Sequence, residues 1–216
     1  MNCIILLASP AAGKGTVSSY IMDKYNFDHI STGDLLRKEI SDKTELGLKI
    51  ENGMDRGFLV DDDVITDLLD KRLSSINDSF ILEGYPRNLN QAKLLEPLFD
   101  KYNINLSKVI YIDIDKEVAI ERIENRLTCD KCKTVYNKMF LDDNKICKKC
   151  GGNLISRDDD NRESFINRYN IYEKETKPLV NYYESKIIKI YNNYTVEKLY
   201  EEVDKVFKGD ELYDNN

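Results

Sequence analysis

A continuously apolar run, Cys3-Ile4-Ile5-Leu6-Leu7-Ala8, stops abruptly at Ser9-Pro10-Ala11-Ala12-Gly13-Lys14-Gly15-Thr16. Nothing polar alternates through it, so a strand built from it needs cover on both faces, as in a parallel sheet between helices. Val17–Tyr25 follows with apolar residues at helical spacing, and strand, Gly-containing turn and helix together open a βαβ unit. Phe80-Ile81-Leu82 and Val109-Ile110-Tyr111-Ile112 read as further strands, with helical patterns at 62–75, 88–101 and 115–127. Helical periodicity returns from Asn161, is interrupted near Pro178, and gives way to a strand at Ile187–Tyr191 and a helix through Phe207. The alternation predicts an α/β fold: a parallel sheet flanked by helices.

The turn after the first strand is where such a sheet presents chemistry. The Walker A pattern, Gly, four residues, then Gly-Lys-Ser/Thr, wraps phosphates with backbone N–H groups and a Lys at a helix N-terminus. Here Ala8 stands at the first Gly position and Gly15 intervenes before Thr16. The position after a buried strand is the context the motif requires, so the segment is read as a phosphate site in a P-loop NTPase-type domain. Two segments depart from the βα rhythm. Residues 32–60 are polar and punctuated by Gly33, Gly47, Gly53 and Gly57, which suggests a small helical excursion. Residues 128–158 hold four Cys, many Lys and Asp, and few apolar runs.

Five segments in order resemble the adenylate kinase family, across residues 2–208: Gly13-Lys14-Gly15-Thr16; Ser31-Thr32-Gly33-Asp34-Leu35-Leu36-Arg37; Glu83-Gly84-Tyr85-Pro86-Arg87 with Gln91; Arg122 with Arg126; and Arg157-Asp158-Asp159-Asp160-Asn161. The resemblance implies Mg²⁺-dependent transfer of the γ-phosphoryl of ATP to AMP, giving two ADP. It assigns ATP to Pro10, Ala11, Ala12, Gly13, Lys14, Gly15 and Thr16 with Arg122 and Arg126. It assigns AMP to Thr32, Arg37, Met54, Val60, Gly84, Arg87, Gln91, Arg157 and Arg168. Lys14, Arg87, Arg122, Arg157 and Arg168 would surround the transferring group, and Asp34 and Glu83 would reach Mg²⁺ through its waters. Arg suits this work because its planar fork pairs with phosphate oxygens and keeps its charge when water leaves. Six of the nine Arg fall on these positions although Lys outnumbers Arg 23 to 9. Gln can read the adenine N6/N7 edge with one acceptor and one donor. Thr32 also stands where an N-cap of Gly33–Arg37 is expected. The family carries Gly at Ala8 and Ala11 and Asp at Glu83, and the resemblance implies a cis Tyr85–Pro86 bond.

Cys129-x2-Cys132 and Cys147-x2-Cys150, 14 residues apart, have the paired spacing of a four-cysteine structural zinc site with no open coordination position. They fall where long-form members of that family carry a lid over ATP. The implied division is a core of 1–31, 62–126 and 161–208, a monophosphate-binding insertion at 32–61, a zinc-ribbon-like lid at 127–160 and a frayed tail at 209–216. Cys3 reads as core, and His29, the sole His, fits no ligand pattern.

Composition separates the remaining classes. The chain of 216 residues has 39 acidic and 32 basic side chains, a net charge of −7, which disfavours nucleic acid and anionic membranes as partners. No apolar run approaches a membrane span, no basic segment precedes Cys3–Ala8, and the odd Cys count argues against a disulfide framework. A cytoplasmic monomer acting on small nucleotides is the expectation. The alternative within enzymes is a kinase for UMP, CMP or GMP. From another class, Lys131, Lys133, Lys138, Lys145, Lys148 and Lys149 would make 128–158 a zinc-ribbon module for nucleic acid, against which stand Asp130, Asp142, Asp143 and Asp158–Asp160.

Overall fold

The computed structural model describes residues 1–55, 60–141, 145–157, 160–193 and 195–208. Gly57, the expected tail at 209–216, and the acids Asp142, Asp143, Asp158 and Asp159 lie outside the described residues. Strand β1 (Asn2–Ala8) leads into helix α1 (Lys14–Tyr25), followed by β2 (Asp28–Ser31), α2 (Thr32–Ser41), α3 (Glu45–Asp55) and α4 (Asp62–Leu73). Then come β3 (Phe80–Glu83), α5 (Leu89–Lys101), β4 (Asn105–Asp113) and α6 (Lys116–Glu124). A small group of strands, β5 (Arg126–Cys129), β6 (Val135–Asn137) and β7 (Leu154–Ile155), precedes α7 (Arg162–Ile171). A π-helical turn at Tyr172–Thr176 leads to α8 (Leu179–Tyr182), and β8 (Ile187–Tyr191) and α9 (Val196–Phe207) close the fold.

The main sheet has the order β2-β3-β1-β4-β8, and every pairing in it is parallel. Successive residues of β1 enter opposite layers. Cys3, Ile5 and Leu7 join Leu69, Leu73, Phe80, Leu95 and Val109 on one face, while Ile4 and Leu6 join Val17, Ile21, Ile110, Phe165 and Val203 on the other. All five of those β1 residues are buried, which is why the stretch from Cys3 to Leu7 carries no polar residue. From central β1 the chain first fills the β3 side and then crosses to β4, so a crevice opens beyond the carboxyl ends of the strands, where ligands of such sheets bind.

Two readings are corrected here. The helix expected to run to 127 stops at Glu124, capped by Asn125, because Arg126–Cys129 is drawn into antiparallel pairing with Val135–Asn137 and Leu154–Ile155. The cap of α2 is Ser31, whose Oγ accepts from Asp34 N at 3.2 Å, and Thr32 is the first helical residue. Strand β2 had no signal in the apolar pattern, since an edge strand covered on one side needs few apolar residues. Tyr85–Pro86 is cis. Among the described residues no helix is long and apolar enough to cross a membrane.

The excursion at 32–60 is the α2–α3 pair, and its tightest point is Gly47. A Cβ there would lie 2.1 Å from the Glu39 carbonyl oxygen and 2.8 Å from Ile40 Cα, both backbone atoms that cannot swing aside. Gly47→Ala should therefore push α3 off α2, at a cost of roughly 2 kcal/mol. Hydrogen exchange should report faster opening of the α3 amides, with the β1 amides unaffected.

Candidate active site

The loop between β1 and α1 is a tight backbone cradle. Ala12 N donates to Ser9 O at 3.2 Å, and the next amides to bond are Thr16 N and Val17 N, both to Gly13 O. Gly13 caps α1 at φ 90, and a Cβ on it would lie 2.8 Å from Asn192 Nδ2, which donates to Ala12 O at 2.8 Å. Asn192, just past β8, thus fixes the loop from 180 residues away; only the fold reveals its role. Ala11 holds φ 61, a left-handed conformation in which a methyl costs about 1 kcal/mol and Gly costs nothing. That explains why a Gly is the natural occupant there and why the smallest side chain replaces it. The first amides of a helix lack intrahelical partners and carry its positive dipole end, so the cradle is prepared for an anion.

The cleft above this loop, about 1880 Å³, is lined by Pro10–Thr16 and by all six of the singled-out Arg, namely Arg37, Arg87, Arg122, Arg126, Arg157 and Arg168. Thr32, Asp34, Met54, Val60, Glu83 and Gly84 line it as well. Burial lowers the Lys14 ammonium to about 8, helped by repulsion from Arg87, Arg37 and Arg168 and opposed by Glu83. Burial, then Arg168 and Arg37, also lowers Arg87. The cations repel one another in a partly dry space, an arrangement that a polyphosphate relieves.

Carboxylates hold these cations in place. The Asp160 side chain, 2% exposed, accepts Arg126 Nε at 2.7 Å and a second bond from the same guanidinium, and lies 3.9 Å from Arg168. Arg37 pairs with Asp34 at 2.6 Å, and Arg87 Nε donates to Gly84 O at 3.0 Å. Glu83 ends β3 and accepts from Ser18 Oγ at 2.9 Å, with His29 Nε2 at 3.0 Å from the same oxygen. His29, which fits no ligand pattern in the sequence, pairs with Ile81 across β2 and β3 and so shares a sheet face with Glu83, two positions on, which its ring reaches diagonally. Burial pushes the Glu83 carboxyl up, but the His29 bond, Lys14 and Ser18 together bring it down to about 2.

The pocket around Thr32 is closely made: Gly84 has φ 83, and a Cβ on it would lie 2.8 Å from Thr32 Oγ1. Gln91 is the one expected nucleotide-site residue that does not line the cleft. It is completely buried, with Oε1 accepting Arg87 N at 2.6 Å and Nε2 donating to Asp62 Oδ1 at 2.7 Å.

The four cysteines of 128–158 come together as their spacing implies. Their sulfurs lie within 4.8 Å of one another, with Cys129–Cys150 and Cys132–Cys147 each at 3.5 Å. A tetrahedron with Zn–S arms of ~2.3 Å has edges of ~3.8 Å, so the donors fit that ion and leave no open position. Thr134 Oγ1 lies 3.1 Å from Cys132 Sγ, and Tyr136 Oη lies 3.4 Å from Cys147 Sγ. Hydrogen bonds from the Thr134 hydroxyl and amide lower the Cys132 thiol, while against a lowering bond from the Gly152 backbone Cys132 and Cys129 raise the Cys150 thiol. Among the described residues, the buried apolar set around the cluster is Leu127, Cys129, Cys147 and Leu154. Such a core is too small to hold three strands without a clip. Cys3 is buried in the main core, away from this group.

The depressed Glu83 carboxyl sets an acid limit. Its stabilisation is complete above its ordinary value of 4.5 and is lost as pH falls through about 2. That interval corresponds to about 3 kcal/mol, Glu83 being well shielded from solvent. Glu83→Gln should flatten the loss of stability between pH 5 and pH 2, roughly, in denaturant titrations at each pH.

Comparison with known proteins agrees with this geometry. A family model described as adenylate kinase matches residues 6–188. The adenylate kinase of Caldanaerobacter subterraneus subsp. tengcongensis is 38% identical over 213 residues, covering 96% of each chain. That of Alkaliphilus oremlandii is 43% identical over 186 residues, covering 84% of this chain and 86% of its own. That of Lactobacillus delbrueckii subsp. bulgaricus is 39% identical over 215 residues, covering 96% of this chain and 99% of its own. With an amide-lined loop at the carboxyl end of β1, six arginines in one cleft and a match to the family over residues 6–188, the chain belongs to the adenylate kinase family.

Proposed function

We propose that the chain catalyses reversible transfer of the γ-phosphoryl group of ATP to AMP, yielding two ADP, as a cytoplasmic monomer. The observation that carries this reading is the convergence of Lys14 and six arginines on one cleft, with a phosphate cradle at one end and the Thr32 pocket at the other. In the transfer the bond from Pγ to the β–γ bridging oxygen breaks and a bond from Pγ to an AMP phosphate oxygen forms. Protein nucleophiles are unnecessary; the work is in-line positioning, charge neutralisation and exclusion of water.

Lys14 and the amides of residues 11–16 hold the ATP phosphates, and Arg37 and Arg87 hold the AMP phosphate. Arg122, Arg126, Arg157 and Arg168 close over the transferring group. Asp34 and Glu83 would hold Mg²⁺ through its waters, and the ion would supply neutralisation of the phosphate charge. Glu83 fits that task because it is ionised, buried and faces Lys14. Thr32, Met54, Val60 and Gly84 form the adenine pocket, and Gln91, completely buried with both ends of its amide bonded, backs it by holding Arg87 N. Residues 32–61 act as the monophosphate segment and 127–160 as a lid clipped by zinc on Cys129, Cys132, Cys147 and Cys150, on a core of 1–31, 62–126 and 161–208. The net charge of −7 disfavours nucleic acid as a partner.

A coupled assay with MgATP and each of AMP, UMP, CMP and GMP tests the substrate. ADP formation should be fast with AMP and slow with the other three; preference for another monophosphate overturns AMP as substrate. Metal analysis should give about one zinc per chain. Removing it with a chelator should speed exchange of the β5–β7 amides and lower activity while the β1 and β4 amides stay protected.

A further inference from the structure

We propose that Asp62, which touches no part of the cleft, is a positioning residue for monophosphate recognition. Its carboxylate sets the orientation of the Gln91 amide, and Gln91 in turn holds the backbone that carries Arg87. The inference rests on the reading of the Thr32–Arg87 end of the cleft as the monophosphate site.

Asp62 opens α4 and meets three side-chain amides from the start of α5. Asn88 Nδ2 donates to it at 3.1 Å, Asn90 Nδ2 at 2.7 Å and Gln91 Nε2 at 2.7 Å. An ionised carboxylate only accepts, so every amide facing it must present nitrogen. For Asn88 that leaves Oδ1 to accept Gln91 N at 2.7 Å, the cap of α5. For Gln91 it leaves Oε1 to accept Arg87 N at 2.6 Å. Gln91 has no exposed surface, so water cannot replace either bond. If the amide turned over, its NH₂ would face the Arg87 N–H and its oxygen the Asp62 carboxylate, two repulsive contacts in a dry place. Burial pushes the Asp62 carboxyl up, but the three amides outweigh it and hold the group below its usual range, which keeps it an acceptor. Asp62 also lies two residues after Val60, a wall of the cleft, so one carboxylate ties that wall to the Arg87 loop.

A double-mutant cycle tests the polarity of this chain of bonds. In Asp62→Asn the new NH₂ competes with the incoming amides. In Gln91→Glu two carboxylates face each other. In the double variant the amide introduced at position 62 donates to the carboxylate introduced at position 91, whose other oxygen still accepts Arg87 N. Two readouts are measured: the KM values for AMP and ATP, and hydrogen exchange of the Arg87 amide in the free protein. We expect Asp62→Asn to raise the KM for AMP and the Arg87 exchange rate about tenfold each, with the KM for ATP within about twofold. The double variant should exchange more slowly at Arg87 than either single variant. Its KM for AMP should fall below the product of the two single effects by about fivefold or more. Additive single effects, unchanged Arg87 exchange in Asp62→Asn, or equal rises in both KM values overturn the proposal. The exchange readout needs no nucleotide, so it stands apart from the assignment of AMP as substrate, which the monophosphate assay decides.

Discussion

Mutual repulsion among cations is the constraint around which this molecule is arranged. Lys14, Arg37, Arg87 and Arg168 act on one another in a cleft where burial first, and their repulsion after it, lowers the Lys14 ammonium to about 8 against the pull of Glu83. Such a group survives in a folded protein only if anions are fixed beside it and the backbone beneath it cannot relax away. Glu83 and Asp160 supply the anions, each largely shielded from water. The parallel sheet supplies the rigidity, because β1, β3 and β4 are covered on both faces and end together at the cleft. The overall charge of −7 is irrelevant at this distance scale, since exposed charges beyond about 10 Å are screened.

Two of the departures from the family pattern, Ala11 and Glu83, have local explanations. At Ala11 the left-handed backbone is retained with the smallest possible side chain. At position 83 the longer carboxylate meets both Ser18 on α1 and His29 on β2. An Asp on the same backbone would stop about 1.5 Å short of these partners. Glu83 is therefore matched to its neighbours, and its acidity comes from them rather than from its position in the motif. The cysteine-bearing segment follows a different logic. With few apolar residues to bury, its strands are held by their pairing, its turns by hydrogen bonds such as Cys147 N to Gly152 O at 2.7 Å, and both by four converged sulfurs.

The amino-acid sequence by itself determined the elements whose physics is local or whose burial is complete. β1 and β8 were legible as apolar runs, α4 and α5 as amphipathic periods, and the cysteine quartet as paired spacing. The arginines were legible because Arg is scarce beside Lys and recurs in motif context. Tertiary structure alone decided matters in which distant residues meet. β2 is an edge strand with a mostly polar sequence, and only its pairing with β3, His29 opposite Ile81, puts His29 on the same face as Glu83 and within its reach. Asn192 reaches Ala12 across 180 residues, and Asp160 reaches back 34 residues to Arg126. The turn of Arg126–Cys129 from helix to strand depends on pairing with strands from later in the chain. Gln91 shows the difference most clearly: its residue type suggests a base contact, whereas the direction of its amide is set by Asp62, a partner 29 residues earlier. Hydrogen-bond polarity in a buried network belongs to the set of groups that meet there, and no single position in a sequence contains it.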